Sequence, residues 1–209
     1  MNPQTLHCVK CFKQIEQNNF IFLAKREYFL CNSCLKEKKT HFQRFKVNGV
    51  KTYSIYDYNE YIQDNLFKFK GCGDYELRKL FLHPFEREIR WFFKGYSIVC
   101  IPSYYLDDEV RGFNHVEEIF KRLNLPIIKV LEKTNDIKQV DVSAEERKNI
   151  KRYLKVKNIE QIFNKKILLV DDVITTGSTL KAAIELLKPG KPKSIKILVI
   201  AKTINSKQN

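Results

Sequence analysis

The run Ile167-Leu168-Leu169-Val170-Asp171-Asp172-Val173-Ile174-Thr175-Thr176-Gly177-Ser178-Thr179 places two kinds of chemistry side by side. Its four leading aliphatic residues read as a strand buried on both faces of a parallel sheet. The two acids then stand at the strand's carboxyl end, where open α/β sheets bind their ligands. Small hydroxyl residues surround Gly177, and Leu180, Ala183, Ile184 and Leu187 recur at helical spacing, so a helix begins near Ser178 and ends before Pro189-Gly190. A strand, a Thr/Gly/Ser turn and a helix together hold phosphate: first-turn amides lack partners, and the positive end of the helix dipole lies beside them. Thr175, Thr176, Ser178 and Thr179 add hydroxyl donors. A phosphate alone would be repelled by Asp171 and Asp172. Acids fit a ligand that also carries hydroxyls or shares a divalent cation, as a ribose 5-phosphate does. An ordinary N-capped helix after a strand accounts for one Ser or Thr, not for four beside two acids.

The second chemical signal is sulfur. Cys8-x2-Cys11 and Cys31-x2-Cys34 have the spacing of two metal knuckles, which together make a closed, structural four-sulfur zinc site. A disulfide pair is the alternative, and a reducing compartment disfavours it. The aromatic and aliphatic segments Phe20–Leu23 and Tyr28–Leu30 suggest a short hairpin between the knuckles, hence a zinc ribbon. His7 is read as a bystander, Cys100 as a small core residue and Cys72 as a loop residue.

These groups need a scaffold, and 209 residues suffice for one α/β domain with a small appendage. With 44% hydrophobic and 30% charged residues, 7 Gly and 6 Pro, disordered and fibrous classes are excluded. No apolar run approaches the ~18–20 residues that span a bilayer, and the N-terminus lacks a signal-peptide centre, so a soluble cytoplasmic protein is expected. The formal charge of +14 would attract nucleic acid, phosphorylated metabolites or an acidic membrane face.

Alternation predicts strands over 50–58, 97–102, 127–131 and 195–201, with helices over 61–69, around Leu77–Phe81, before Trp91 and over 112–123. Strands alternating with helices imply a mostly parallel twisted sheet flanked by helices. Trp91-Phe92-Phe93 is read as core rather than as a base-stacking platform. Residues 132–147 lack apolar periodicity and read as a lid carrying Lys133, Lys138 and Arg147, with Lys148 beside it. Asp107, Asp108 and Glu109 are read as solubilising an exposed loop, with Mg²⁺ ligation as the alternative.

The thirteen-residue run resembles the 5-phosphoribosyl-1-pyrophosphate (PRPP) motif of type I phosphoribosyltransferases. The whole chain resembles the ComF/GntX family, in which a zinc ribbon precedes such a domain. Tyr56-Asp57-Tyr58 with Leu66-Phe67-Lys68-Phe69-Lys70-Gly71, Pro102 with Arg111-Gly112-Phe113-Asn114, and Gln139 with Glu146-Arg147 and Asn149 carry the resemblance. His115 stands where the family usually has Gln, and Arg147 and Asn149 are one residue closer than usual.

The resemblance implies a ribbon over 1–45 and a phosphoribosyltransferase-like domain over 46–209. It also implies Mg²⁺-PRPP on Val173 to Thr179, sugar hydroxyls at Asp171 and Asp172, and pyrophosphate near Arg111. The expected function is PRPP binding by a ComF-type protein linked to competence and DNA uptake or processing, with phosphoribosyl transfer to a base as its candidate Mg²⁺-dependent chemistry. Single-stranded DNA, the uptake machinery and the inner membrane face are candidate partners, since basic residues mix with Phe12, Phe20, Phe22, Tyr28 and Phe29 in the ribbon. Those aromatics equally suit a miniature ribbon core. A metabolic salvage phosphoribosyltransferase that binds no nucleic acid is the alternative.

Overall fold

The computed structural model describes residues 6–15, 29–38, 40–83, 85–103, 108–109, 111–133 and 154–203. Along the chain follow α1 (Asn32–Glu37), β1 (Gln43–Val47), β2 (Val50–Asp57), α2 (Glu60–Gly71), α3 (Arg78–Leu82), α4 (Glu86–Phe92), β3 (Tyr96–Cys100) and α5 (His115–Phe120). They are succeeded by β4 (Leu131–Lys133), β5 (Leu154–Val156), β6 (Lys166–Ile174), α6 (Ser178–Leu187) and β7 (Ser194–Lys202).

The apolar run 167–170 becomes the interior of β6, and each of those four residues is 0% exposed. Five strands form one sheet in the order β1-β2-β7-β6-β3. All neighbours are parallel except β1 and β2, so the expected mostly parallel α/β architecture is present. Strand alternation sends Leu168, Val170 and Leu198 to one face, against Leu66, Phe69, Phe81, Ile119 and Phe120 of α2, α3 and α5. Ile167, Leu169 and Ile197 face the other way, against Leu180, Ala183, Ile184 and Leu187 of α6. Each fully buried Leu or Ile contributes about 1.5–3 kcal/mol of transfer free energy, so both faces are well anchored. Among the described residues, no helix is long and apolar enough to cross a membrane.

Three expectations are corrected. The strand expected over 127–131 shrinks to one parallel bridge between Ile127 and Ile98. Pro126 cannot donate to a ladder, and the chain leaves to pair β4 with β5 outside the main sheet. Trp91 is not core: it is 79% exposed and Phe92 is 49% exposed, whereas Phe93 is 2% exposed. On α4 the i, i+4 pair Ile89 and Phe93 takes the inward positions, which turns residues 91 and 92 outward. Finally, β1 precedes the expected first strand; Asn48 and Gly49, at φ 47° and 78°, form the two-residue turn that pairs it with β2. The boundary expected at residue 45 falls within β1.

Candidate functional site

Strand β6 ends at Ile174, and the chain turns through exposed Thr175 and Thr176 into α6. The turn depends on Gly177, whose φ of 72° suits a residue without a Cβ. A Cβ there would also stand 3.3 Å from Ile174 Cδ1. Thr176 Oγ1 lies 2.8 Å from Ser178 Oγ and accepts from the Ser178 amide at 3.3 Å, so two hydroxyls already gather over the first turn of α6. Ser178 and Thr179 are partly exposed. The side chain of Val173 packs against one core and Ile174 is buried in the other, leaving only their backbone for a ligand.

The adjacent acids diverge, as neighbours on a strand must. Asp172 points to the α2 and α5 face. Its Oδ2 accepts from Lys70 Nζ at 2.6 Å and lies 3.2 Å from His115 Nε2, and its Oδ1 accepts from the Val173 amide at 2.6 Å. Arg111 lies beside this pair. Its ε N–H donates to the Lys70 carbonyl at 2.7 Å, and Nη1 donates to Asp108 at 3.0 Å and to His115 Nδ1 at 3.2 Å. A guanidinium can only donate, so His115 Nδ1 accepts and its Nε2–H points at Asp172. Neutral histidine thereby offers one donor and one acceptor, the pair that a Gln amide would offer in its place. Asp108 is not a solubilising residue, because it also accepts from Ser103 Oγ at 2.6 Å and Asn114 Nδ2 at 2.8 Å. Exposed Glu109 fits the solubilising role.

Asp171 is partly exposed, and its Oδ1 accepts from the Asp172 amide at 2.9 Å. Alternation places it on the face of Leu169, which is also the α6 face. Desolvation and the neighbouring Asp172 charge push its carboxyl well above the usual range. Desolvation acts on Asp172 in the same direction, but the His115 hydrogen bond and the Lys70 ammonium outweigh it and hold that carboxyl well below the usual range.

The two acids therefore act on stability with opposite signs. For Asp172 the folded pKa lies below the unfolded value of ~3.9, so its stabilisation is present above that value and is lost as pH falls through the folded pKa. For Asp171 the folded pKa lies above the unfolded one, so stability falls as pH rises from ~3.9 toward the folded value. At neutral pH, Asp171→Asn is expected to raise the melting temperature, the direction set by the burial and the neighbouring charge that disfavour its carboxylate. Asp172→Asn is expected to lower it by about 4–8 °C, since Lys70 loses its charged partner and one carbonyl oxygen cannot serve Lys70, His115 and the Val173 amide together. Calorimetric scans that move both variants in the same direction would contradict this assignment.

The second cluster lies before β1. Sγ atoms of Cys8, Cys11, Cys31 and Cys34 all fall within 4.8 Å of one another, and Cys11 and Cys31 are 3.6 Å apart. Tetrahedral zinc–sulfur bonds of about 2.3 Å need sulfurs at about this separation, so the four thiols could hold one zinc ion. His7 is exposed and is not part of this cluster; its backbone forms an isolated antiparallel bridge with Gln14. Helix α1 carries Cys34 in its first turn, and Tyr61 Oη donates to the Cys34 carbonyl at 3.4 Å. Lys38, 4% exposed, donates to the carbonyls of Leu80 and His83 and lies 5.0 Å from the Tyr56 ring centroid. Cys8, Leu30 and Cys34 share one continuous core with Leu66 and Phe81.

The structure thus draws Asp172 and Arg111 into one network, while alternation along β6 leaves Asp171 on the opposite, α6 face. Lys70 and His115 carry contacts that no role was assigned from sequence. Lys70 lies within the Lys68-Phe69-Lys70-Gly71 segment and His115 replaces the usual Gln after Asn114, so the sequence signals both positions but not the Asp172 partner they share. Cys100 packs against the core, and burial pushes its thiol up to about 12. Cys72 is exposed at the end of α2. Of the ribbon aromatics, Phe12 is 73% exposed and Phe29 packs edge-on against His83 at 5.6 Å. Phe20, Phe22, Tyr28, Asp107, Lys138, Gln139, Glu146, Arg147, Lys148 and Asn149 lie outside the described residues.

The phosphoribosyl transferase domain family matches residues 109–208. Competence protein ComFC of Streptococcus pneumoniae is 29% identical over 90% of this chain and 83% of its own. Competence protein ComFC of Bacillus subtilis is 32% identical over 68% of this chain and 60% of its own. A solved hypoxanthine-guanine phosphoribosyltransferase from Bacillus anthracis shares 14% identity at a TM-score of 0.40, covering 63% of this chain and 72% of that one.

Proposed function

This chain belongs to the ComF-type proteins, and from that premise we propose that it binds Mg²⁺-PRPP, or another ribose 5-phosphate, across the carboxyl end of β6. The observation that carries the reading is Asp171 adjoining a glycine-dependent, hydroxyl-rich helix start. The 5-phosphate sits on the amides and hydroxyls of Thr175 to Thr179. Asp171 accepts a sugar hydroxyl, and Asp172 offers a second acceptor position beside its Val173 bond. Pyrophosphate lies toward Arg111 and Lys70, whose charges suit it.

Magnesium in such sites is held by one or two carboxylates together with substrate phosphates, and the partly exposed carboxylate of Asp171 would supply one such ligand. It would neutralise pyrophosphate charge. The cysteine cluster holds zinc in a closed, structural role. The relatives' name, competence protein, leads us to place the chain in competence and DNA uptake or processing.

Arg111 and Lys70 beside the pyrophosphate position also favour turnover. A base nitrogen would attack sugar C1, and the C1–O bond would break with its electron pair leaving on pyrophosphate. The protein needs no nucleophile of its own.

Calorimetric titration with Mg²⁺-PRPP tests the reading. Wild type should bind saturably and Gly177→Ala at least about tenfold more weakly, because a Cβ at positive φ costs about 1–2 kcal/mol and displaces the turn. Equal affinity of the two proteins overturns the phosphate assignment. Pyrophosphate release in the presence of a panel of bases separates transferase from binding protein, and release with a salvage base favours the metabolic alternative.

A further inference from the structure

We propose that the groove between α4 and the β1–β2 side of the sheet docks an acidic, amphipathic segment of a partner protein. The groove encloses about 680 Å³. Its floor is Leu198 on β7, Tyr53 on β2 and Phe93, and its walls include Phe42, Trp91 and Phe92. Phe42 and Trp91 are 55% and 79% exposed. Three large aromatic residues left open around one concavity is unusual for a surface that meets only water.

Ring geometry selects the occupant. Tyr53 meets Phe92 and Phe93 at 76° and 81°, Phe92 meets Phe93 at 87°, and Phe42 meets Phe85 at 80°. These edge-to-face contacts form a rough apolar trough that receives aliphatic side chains. Nucleobases laid in a trough this apolar would leave their polar edges unpaired, which disfavours them against aliphatic side chains.

The rim selects the charge: Arg87 and Glu88 on the α4 side carry opposite charges and offset one another, so the sheet side decides the sign. In the β1–β2 ladder, Arg44 is opposite Tyr53 and Lys46 is opposite Lys51, so both cations share the groove face. Lys51 and Lys196 each immediately precede the paired Thr52 and Ile197, which sets them side by side across β2 and β7. Lys196 Nζ lies 4.9 Å from the Phe92 ring centroid and 5.0 Å from that of Tyr96. Beyond these lysines the surface continues into a second hollow of about 490 Å³ that Lys51 and Lys196 share with Lys188 and Lys191. An apolar trough ending in a lysine field complements a segment with a hydrophobic stripe flanked by carboxylates. A second copy of this chain, with its charge of +14, would bring like charge to that field.

Trp91 is the only tryptophan in the chain and sits on the groove wall, so its emission reports occupancy. The probe is a tryptophan-free helical peptide of ~16 residues with Leu at i, i+3, i+4, i+7 spacing and Glu elsewhere. Controls are its Lys counterpart and an isomer with the leucines dispersed around the helix. The Glu probe should shift Trp91 emission to the blue, saturably, and neither control should do so. By anisotropy of labelled probe, Trp91→Ala and the double variant Lys51→Glu/Lys196→Glu should each weaken binding at least about tenfold, with thermal melts confirming that both fold.

No saturable shift, or equal binding by the Lys51→Glu/Lys196→Glu protein, overturns the proposal. So does oligodeoxythymidylate that quenches Trp91 and displaces the probe, which would make the groove a nucleic-acid site. A blue shift on anionic vesicles without binding of the probe would assign it to a membrane, and one that grows with protein concentration alone would assign it to self-association.

Discussion

Replacing Asp171 and Asp172 together by Asn lowers affinity for Mg²⁺-PRPP at least about 100-fold while the chain stays folded. Hydrogen bonds to a charged partner contribute about 1.5–3 kcal/mol each, so losing two costs about 3–6 kcal/mol, or about two to four powers of ten. Folding should survive because the single changes act in opposite directions: relief of crowding at Asp171 offsets part of the lost Lys70 and His115 contacts. After Asp171→Asn, the side-chain carbonyl oxygen can still accept the amide of residue 172. The strong internal use of Asp172 makes Asp171→Asn the more telling single change, because the hydrogen bond from the Asp172 amide occupies only one oxygen of this partly exposed carboxylate. Isothermal titration of both singles and the double checks this. Wild-type affinity in a folded double variant would remove the sugar from the strand end.

Stripping zinc lowers the melting temperature of the entire chain by about 8–16 °C. Metal in small zinc modules contributes about 10–16 kcal/mol of apparent binding free energy at neutral pH, and about 4 kcal/mol reaching the main core produces a shift of that size. The route is visible: Cys8 and Cys34, at 0% and 4% exposure, share a core with Leu66 and Phe81. Lys38 follows α1 and binds the carbonyls of Leu80 and His83. Melting with and without chelator, alongside metal analysis, checks this, and Cys34→Ser should reproduce the chelated curve. A transition unchanged by chelation, or protein purified without zinc, would refute it.

The fold was legible where periodicity is long. Strand β6 and helix α6 fall where their apolar residues put them, and so does the four-cysteine cluster, whose spacing is set by the reach of thiols around one ion. Legibility failed where tertiary partners decide. Asn48-Gly49 is a strong hairpin signal, yet β1 itself alternates Phe45 and Val47 with Arg44 and Lys46 too briefly to announce a strand. Three adjacent aromatics at 91–93 looked like core because hydrophobicity alone does not say which side of α4 faces inward. The Lys70–Asp172 ion pair joins residues 102 positions apart, and no local pattern encodes such a distance. His115 was conspicuous only as a substitution within a familiar segment; its meaning came from the two groups on either side of its ring.

The order of the sheet has a bearing on how this protein is made. Strands β1 and β2 leave the ribosome early, and β3 and β6 form their own pair, but within the sheet the two halves are hydrogen-bonded only through β7, which pairs with β2 on one side and β6 on the other. Until residues 194–202 have emerged, a nascent chain holds two half-sheets with bare inner edges, and the long-range closure that joins them is the slow kind. Translation cut short just ahead of that strand would release a polypeptide with nearly all its apolar residues and no seam to hold them, a ready substrate for chaperones and proteases.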